Sequence, residues 1–171
     1  MGAMILAEAA YSEGKYAQKI PVYGGQRQGG AVNVFLRLDT KPILRNCCIY
    51  EPDAVVILDS TITMDNSVKK GLKKGGIAIL NDTRKPEKVE MGVELSKVAV
   101  VDANKIYTEI FGRRAIPITN TIMLGAISKA TSWVKLESLL ESIKNTFTGQ
   151  LIESNIDACK RGYDNVNIWE A

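Results

Sequence analysis

A parallel α/β sheet flanked by helices is the fold this sequence predicts, and three observations predict it. Short, unbroken apolar runs occur at Ala54-Val-Val-Ile-Leu58, Ile77-Ala-Ile-Leu80 and Val98-Ala-Val-Val101. Runs of that length with no polar alternation suit strands buried on both faces, as in parallel sheets. Segments of helical periodicity separate or follow them, and alternation of the two element types implies right-handed crossovers.

The elements follow in order. Residues 3–12 read as a helix with Met4, Leu6, Ala7 and Ala10 as its apolar stripe, and Gly14 is a natural stop. Residues 16–23 and 31–38 are strands by alternation and β-branched content. Residues 42–49 read as a short strand or edge segment. Residues 54–58 form the first buried strand, closed by Asp59. Residues 65–74 read as a short helix with Val68 and Leu72 inward, ended by Gly75-Gly76. Residues 77–80 are the second buried strand. Residues 81–90 are polar, contain Pro86 and read as a loop. Residues 98–101 are the third buried strand, with a helix over 104–111. The rest reads as helical: 120–130, 136–147 and 150–163. In the middle one, Leu136, Leu139, Leu140, Ile143 and Phe147 keep helical spacing.

Composition narrows the chemistry. A chain of 171 residues with 46% hydrophobic and 24% charged residues reads as one soluble domain spanning 1–171. The net charge of +3 is too mild to imply nucleic acid. No apolar run approaches the roughly 18 residues that cross a bilayer, and no secretory signal is present, so cytoplasm is the expectation and no membrane partner is. There is no histidine, which rules out Ser-His-Asp and Cys-His catalysis. The three cysteines are Cys47, Cys48 and Cys159. Cysteine-held iron–sulfur clusters and structural zinc sites ordinarily take four ligands, so neither fits this inventory in one chain, and no metal site is expected. The cysteines read as small buried hydrophobes.

Three places carry candidate chemistry. The first is the loop between the opening strands, with Tyr23, Gly24, Gly25, Arg27, Gly29 and Gly30. Its glycines permit unusual backbone conformations, and Arg27 offers an always-charged planar donor fork at the tip. It reads as a site for close approach to an anion, cofactor or other chain, or more simply as a wide hairpin turn. The second is the helix start Thr119-Asn120-Thr121 after Pro117, whose free N–H groups favour an anion or a partner loop. The third is the carboxyl end of the sheet, where open parallel sheets bind ligands. Asp59, Asn81, Asp82 and Asp102 stand there, and turn-making or capping is the plainer role for each. A basic cluster of Lys69, Lys70, Lys73 and Lys74 reads as a solvated face, with phosphate docking as the alternative. Gly125 reads as a packing glycine.

Several motifs, in order along the chain, carry a resemblance. Glu13-Gly-Lys-Tyr-Ala-Gln18 is followed by Tyr23-Gly-x-x-Arg-x-Gly-Gly30, Lys41-Pro-Ile43 and Pro52-Asp-Ala-Val-Val-Ile-Leu-Asp59. Asn120-Thr-Ile-Met-Leu-Gly-Ala126 and Asn155-Ile-Asp-Ala-Cys-Lys-Arg-Gly-Tyr163 come later. Together they resemble the gamma subunits of 2-oxoacid:ferredoxin oxidoreductases of the pyruvate and ketoisovalerate type. The resemblance implies a doubly wound, Rossmann-like domain. It departs in two places: the family's opening strand and Gly-x-Gly-Gly-Gln-Gly turn are missing here, and its Pro-Glu-Arg-Arg after Tyr-Gly is replaced by Gly25-Gln-Arg-Gln28.

The resemblance implies a non-autonomous subunit with no catalytic residue of its own, in an enzyme that oxidatively decarboxylates a 2-oxoacid to its acyl-CoA. Thiamine diphosphate and iron–sulfur clusters are expected on partner chains, namely alpha, beta and delta-type subunits, with ferredoxin reached through the complex. This chain would supply a packing face and part of a CoA site, centred on Tyr23, Gly24, Arg27, Gly29 and Gly30. Without its partners it would dimerise, as a homodimer, or aggregate in a concentration-dependent way. The rival reading is a freestanding nucleotide- or phosphate-binding module, against which the absent glycine-rich turn counts.

Overall fold

The computed structural model describes residues 1–23, 32–59, 61, 69–115 and 117–171. Helix α1 (Gly2–Ser12) opens the chain. It stops where Gly14 takes a φ of 78°, in the left-handed region that favours glycine, and Gly14 N–H closes on the Tyr11 carbonyl at 2.9 Å. Its buried residues are Ile5, Leu6, Ala9 and Ala10. Met4 and Ala7 lie only half-buried, so the stripe is rotated from the one expected. Glu13 then ties the helix end across the molecule. Its carboxylate accepts Lys15 Nζ at 2.8 Å and the Lys135 backbone N–H at 2.7 Å. Burial pushes this carboxyl up, but those bonds and one from Ser138 outweigh it and hold the pKa below the usual value.

Strands β1 (Tyr16–Tyr23) and β2 (Val32–Asp39) pair antiparallel, from Tyr16↔Asp39 to Tyr23↔Val32, as a two-stranded sheet among the described residues. Loop residues 24–31 lie outside the described residues. The ribbon leans on α1 through Ala17, Leu36 and Leu38. Residues 42–49 form no strand. Arg37 holds that segment instead, donating to the Cys48 carbonyl at 3.2 Å, so a side chain does the work of a ladder.

The main sheet has the order β3-β4-β5-β6. Strands β3 (Ala54–Ile57), β4 (Gly76–Asn81) and β5 (Leu95–Val101) are parallel. Their alternation serves two cores. Ile79, Ala99 and Val101 face the helices, while Ile57, Ala78, Leu80, Val98 and Val100 face Leu72, Val89 and Met91. That is why the runs carry no polar residue. Of the helix expected over 65–74, residues 65–68 lie outside the described residues and 70–74 are turn and coil, with Gly71 at a φ of 84° that ends any helix there, while Leu72 is buried as expected. The stretch 81–90 is loop apart from the end of β4 and a single 3-10 turn, Pro86–Lys88.

Helices α2 (Ala103–Phe111), α3 (Asn120–Thr131), α4 (Leu136–Thr146) and α5 (Gln150–Asp164) cover the first face. Asp102 caps α2, its Oδ1 accepting Lys105 N–H at 2.9 Å. Leu139 and Ile143 of α4 are fully buried, with Leu136, Leu140 and Phe147 packed beside them, as their spacing requires. Beyond α5, which matches the helix expected over 150–163, the chain adds strand β6 (Asn167–Glu170), antiparallel on β5. Ile168 reaches one core and Trp169 the other. The result is a mixed α/β protein with a mostly parallel, helix-flanked sheet.

Candidate functional site

The helix start at Thr119 is a candidate place whose three residues the structure describes. Thr119 and Thr121 are buried, and Asn120 is half-buried beside Gly2 of α1. The Thr119 carbonyl accepts Met123 N–H at 3.0 Å, but the Thr119 side chain makes no capping bond. Thr121 is already committed: its hydroxyl donates to Asn155 Oδ1 on α5 at 2.9 Å, and Asn155 Nδ2 in turn donates to the Leu151 carbonyl at 2.8 Å. The Thr121 hydroxyl is therefore committed within the protein.

Helices α3 and α5 approach each other at backbone distance just beyond it. A Cβ on Gly125 would lie 1.9 Å from the Cys159 carbonyl oxygen, and one on Gly162 would lie 1.9 Å from the Ile122 carbonyl oxygen. The two glycines are reciprocal, each admitting the other helix's backbone. Asn155 and Gly162 were legible in the sequence as motif positions, yet their pairing with Thr121 and Ile122 was not, because it depends on how α3 and α5 cross.

At the carboxyl end of the sheet the polar groups are consumed locally. Asp59 accepts the Thr61 N–H at 2.9 Å and its hydroxyl at 2.7 Å. Asn81 donates to the Leu58 carbonyl at 2.8 Å and to Asn104 Oδ1 at 3.1 Å, and accepts Ala103 N–H at 3.0 Å. It thereby bolts β3, β4 and the start of α2 together. Asp82 accepts from Thr83 N–H, Arg84 N–H and the Arg84 guanidinium. The Arg84 side chain holds the Asp82 carboxyl below its usual pKa against the opposing effect of burial. Among the described residues every buried side-chain nitrogen and oxygen has a hydrogen-bond partner. Three of the four clustered lysines are likewise engaged: Lys69 reaches the Glu90 carbonyl, Lys73 pairs with Asp53 and Lys74 with Glu94.

Tyr23 ends β1, and Gly24, Gly25, Arg27, Gly29 and Gly30 lie outside the described residues. The ribbon that carries this loop is described, and it contains a hub that the sequence did not single out. Arg37 lies opposite Gln18 and donates to its Oε1 at 2.8 Å, while reaching Cys48 O and, at 3.6 Å, Cys47 Sγ.

The cysteines do not behave alike. Cys159 is buried in the α3–α5 contact, where burial pushes its thiol up to about 12, whereas Cys47 is exposed and Cys48 half-buried. The expectation of three buried hydrophobes holds for Cys159 and fails for Cys47, whose loop packs against Arg37 instead of entering a core. Among the described residues no three His, Cys, Asp or Glu side chains converge as metal ligands. The cysteines present do not fit an iron–sulfur cluster.

Sheet order and flanking helices define a mixed α/β protein built on a mostly parallel sheet. The chain belongs to the Pyruvate ferredoxin/flavodoxin oxidoreductase family, whose model matches residues 1–165. It is 46% identical to the Pyruvate/ketoisovalerate oxidoreductases common subunit gamma of Pyrococcus furiosus, across 98% of this chain and 90% of that one. The crystal structure of pyruvate oxidoreductase subunit PORC from Thermotoga maritima superposes with a TM-score of 0.84 at 34% identity, covering 99% of this chain and 90% of that chain. The 2-oxoglutarate:ferredoxin oxidoreductase of Magnetococcus marinus, with 2-oxoglutarate, coenzyme A and succinyl-CoA bound, shares the fold at 16% identity and a TM-score of 0.71. This chain spans 28% of that much longer one, so the same fold serves there as one part of a larger polypeptide.

Proposed function

We propose that this chain is the gamma subunit of a 2-oxoacid:ferredoxin oxidoreductase, a scaffold that completes an enzyme whose reacting groups sit on other subunits. The observation that carries this reading is the end-to-end match to gamma subunits, at 46% identity over 98% of the chain. The residue inventory agrees with it: without histidine, and with a buried Cys159 far in sequence from Cys47 and Cys48, the chain has no group set for decarboxylation or electron transfer.

The relative's name assigns one gamma chain to both pyruvate and ketoisovalerate enzymes. These substrates share the 2-oxoacid group and differ in the rest. A subunit common to both serves what they share, so discrimination among 2-oxoacids belongs to the thiamine-binding partners. Within this reading the segment from Tyr23 through Gly24, Arg27, Gly29 and Gly30 contacts partner chains or the CoA phosphates, because an arginine among glycines can meet an anion closely. Thr119 and Asn120 present helix-start N–H groups to a partner loop. Thiamine diphosphate and clusters are held by alpha, beta and delta-type subunits, which pass electrons to cytoplasmic ferredoxin.

Purification from the source cell followed by mass spectrometry tests this. The chain should co-purify with thiamine- and cluster-bearing subunits, and the complex should reduce a dye in the presence of a 2-oxoacid and CoA. The isolated chain should reduce none. Dye reduction by the chain alone, or its recovery without such subunits, overturns the reading.

A further inference from the structure

We draw no further inference here: the strongest candidate, the exposed apolar patch of Val56 and Leu58 at strand β3, which pairs with β4 alone among the described residues, borders a stretch outside those residues, and nothing in the structure shows what covers it.

Discussion

Gly125 on α3 and Cys159 on α5 are in backbone contact: the Cys159 carbonyl oxygen occupies the space where a Cβ on residue 125 would sit, 1.9 Å away. Gly162 and Ile122 repeat the arrangement in reverse. The Leu-Gly-Ala and Gly-Tyr segments that mark this chain's kinship are thus two halves of one helix crossing. Thr121 and Asn155 fasten its N-terminal end with a buried hydrogen bond. Crossings this close fix the angle of both helices, and that angle positions Thr119 and Asn120.

Replacing Gly125 or Gly162 by alanine should therefore destabilise the protein. In an open helix position the same change would stabilise it by about 1 kcal/mol through propensity. Here the obstacle is backbone, which no rotamer change relieves, and overpacking costs about 1–3 kcal/mol or more. Urea unfolding of each variant should show a lower midpoint. A raised midpoint would mean that the helices separate freely.

Thr121→Val keeps the side-chain shape and removes the hydroxyl donor. Asn155 Oδ1 is then left buried without it, a loss of about 1–3 kcal/mol. The partner change Asn155→Leu should cost less once Thr121 is valine, because the shared bond is already gone and only the Nδ2 bond to the Leu151 carbonyl remains to be lost. A double-mutant cycle in thermal denaturation reads the coupling. A coupling near zero would show that water replaces the bond.

What the sequence made legible follows from how local each signal is. The three apolar runs became strands because burial on both faces demands unbroken apolar residues, a property of the run alone. Leu139 and Ile143 were placed correctly because helical spacing is equally local. Strand β6 was hidden: Asn167-Ile-Trp-Glu170 has no turn signal, and it becomes a strand only by pairing with β5. The α1 stripe was misread by a small rotation because alanines offer little contrast; Ala9 is buried while Ala7 is half-buried. Of the candidate site, the glycine positions were visible and the Thr121–Asn155 and Arg37–Cys48 links were not. Each joins residues whose proximity is set by a helix crossing or a ribbon register.

Asp82 gives the protein an acid-sensitive element. The Arg84 side chain is the main reason its folded pKa is depressed. A depressed carboxyl contributes stability that is complete above its unfolded value of about 3.9 and is lost as pH falls through the lower folded value. Asp82→Asn should lower stability at pH 7 by about 1.5–3 kcal/mol, the range for hydrogen bonds to a charged group. The difference from wild type should shrink as the pH drops below the unfolded value. Urea midpoints at pH 7 and under acid conditions decide this. A gap that is constant with pH would assign the loss to packing and not to the ion pair.

Arg27 carries the last expectation, which concerns the loop at the ribbon's tip. If that loop meets a partner or the CoA phosphates, the guanidinium supplies a charge-assisted contact worth about 1.5–3 kcal/mol. Arg27→Ala should then weaken assembly, or raise the apparent KM for CoA in the assembled enzyme, by roughly tenfold or more. In that case the melting temperature of the isolated chain should stay within a degree or so of wild type, since a side chain that serves a partner or CoA adds about 0.5 kcal/mol or less to the fold. The two readouts separate the roles. A residue that only completes a turn leaves assembly and CoA dependence unchanged, and that result would return the segment between β1 and β2 to the status of a connector. A residue that folds the chain lowers the melting temperature along with everything else. Loss of assembly or of CoA affinity at constant melting temperature is the outcome that marks Arg27 as a contact.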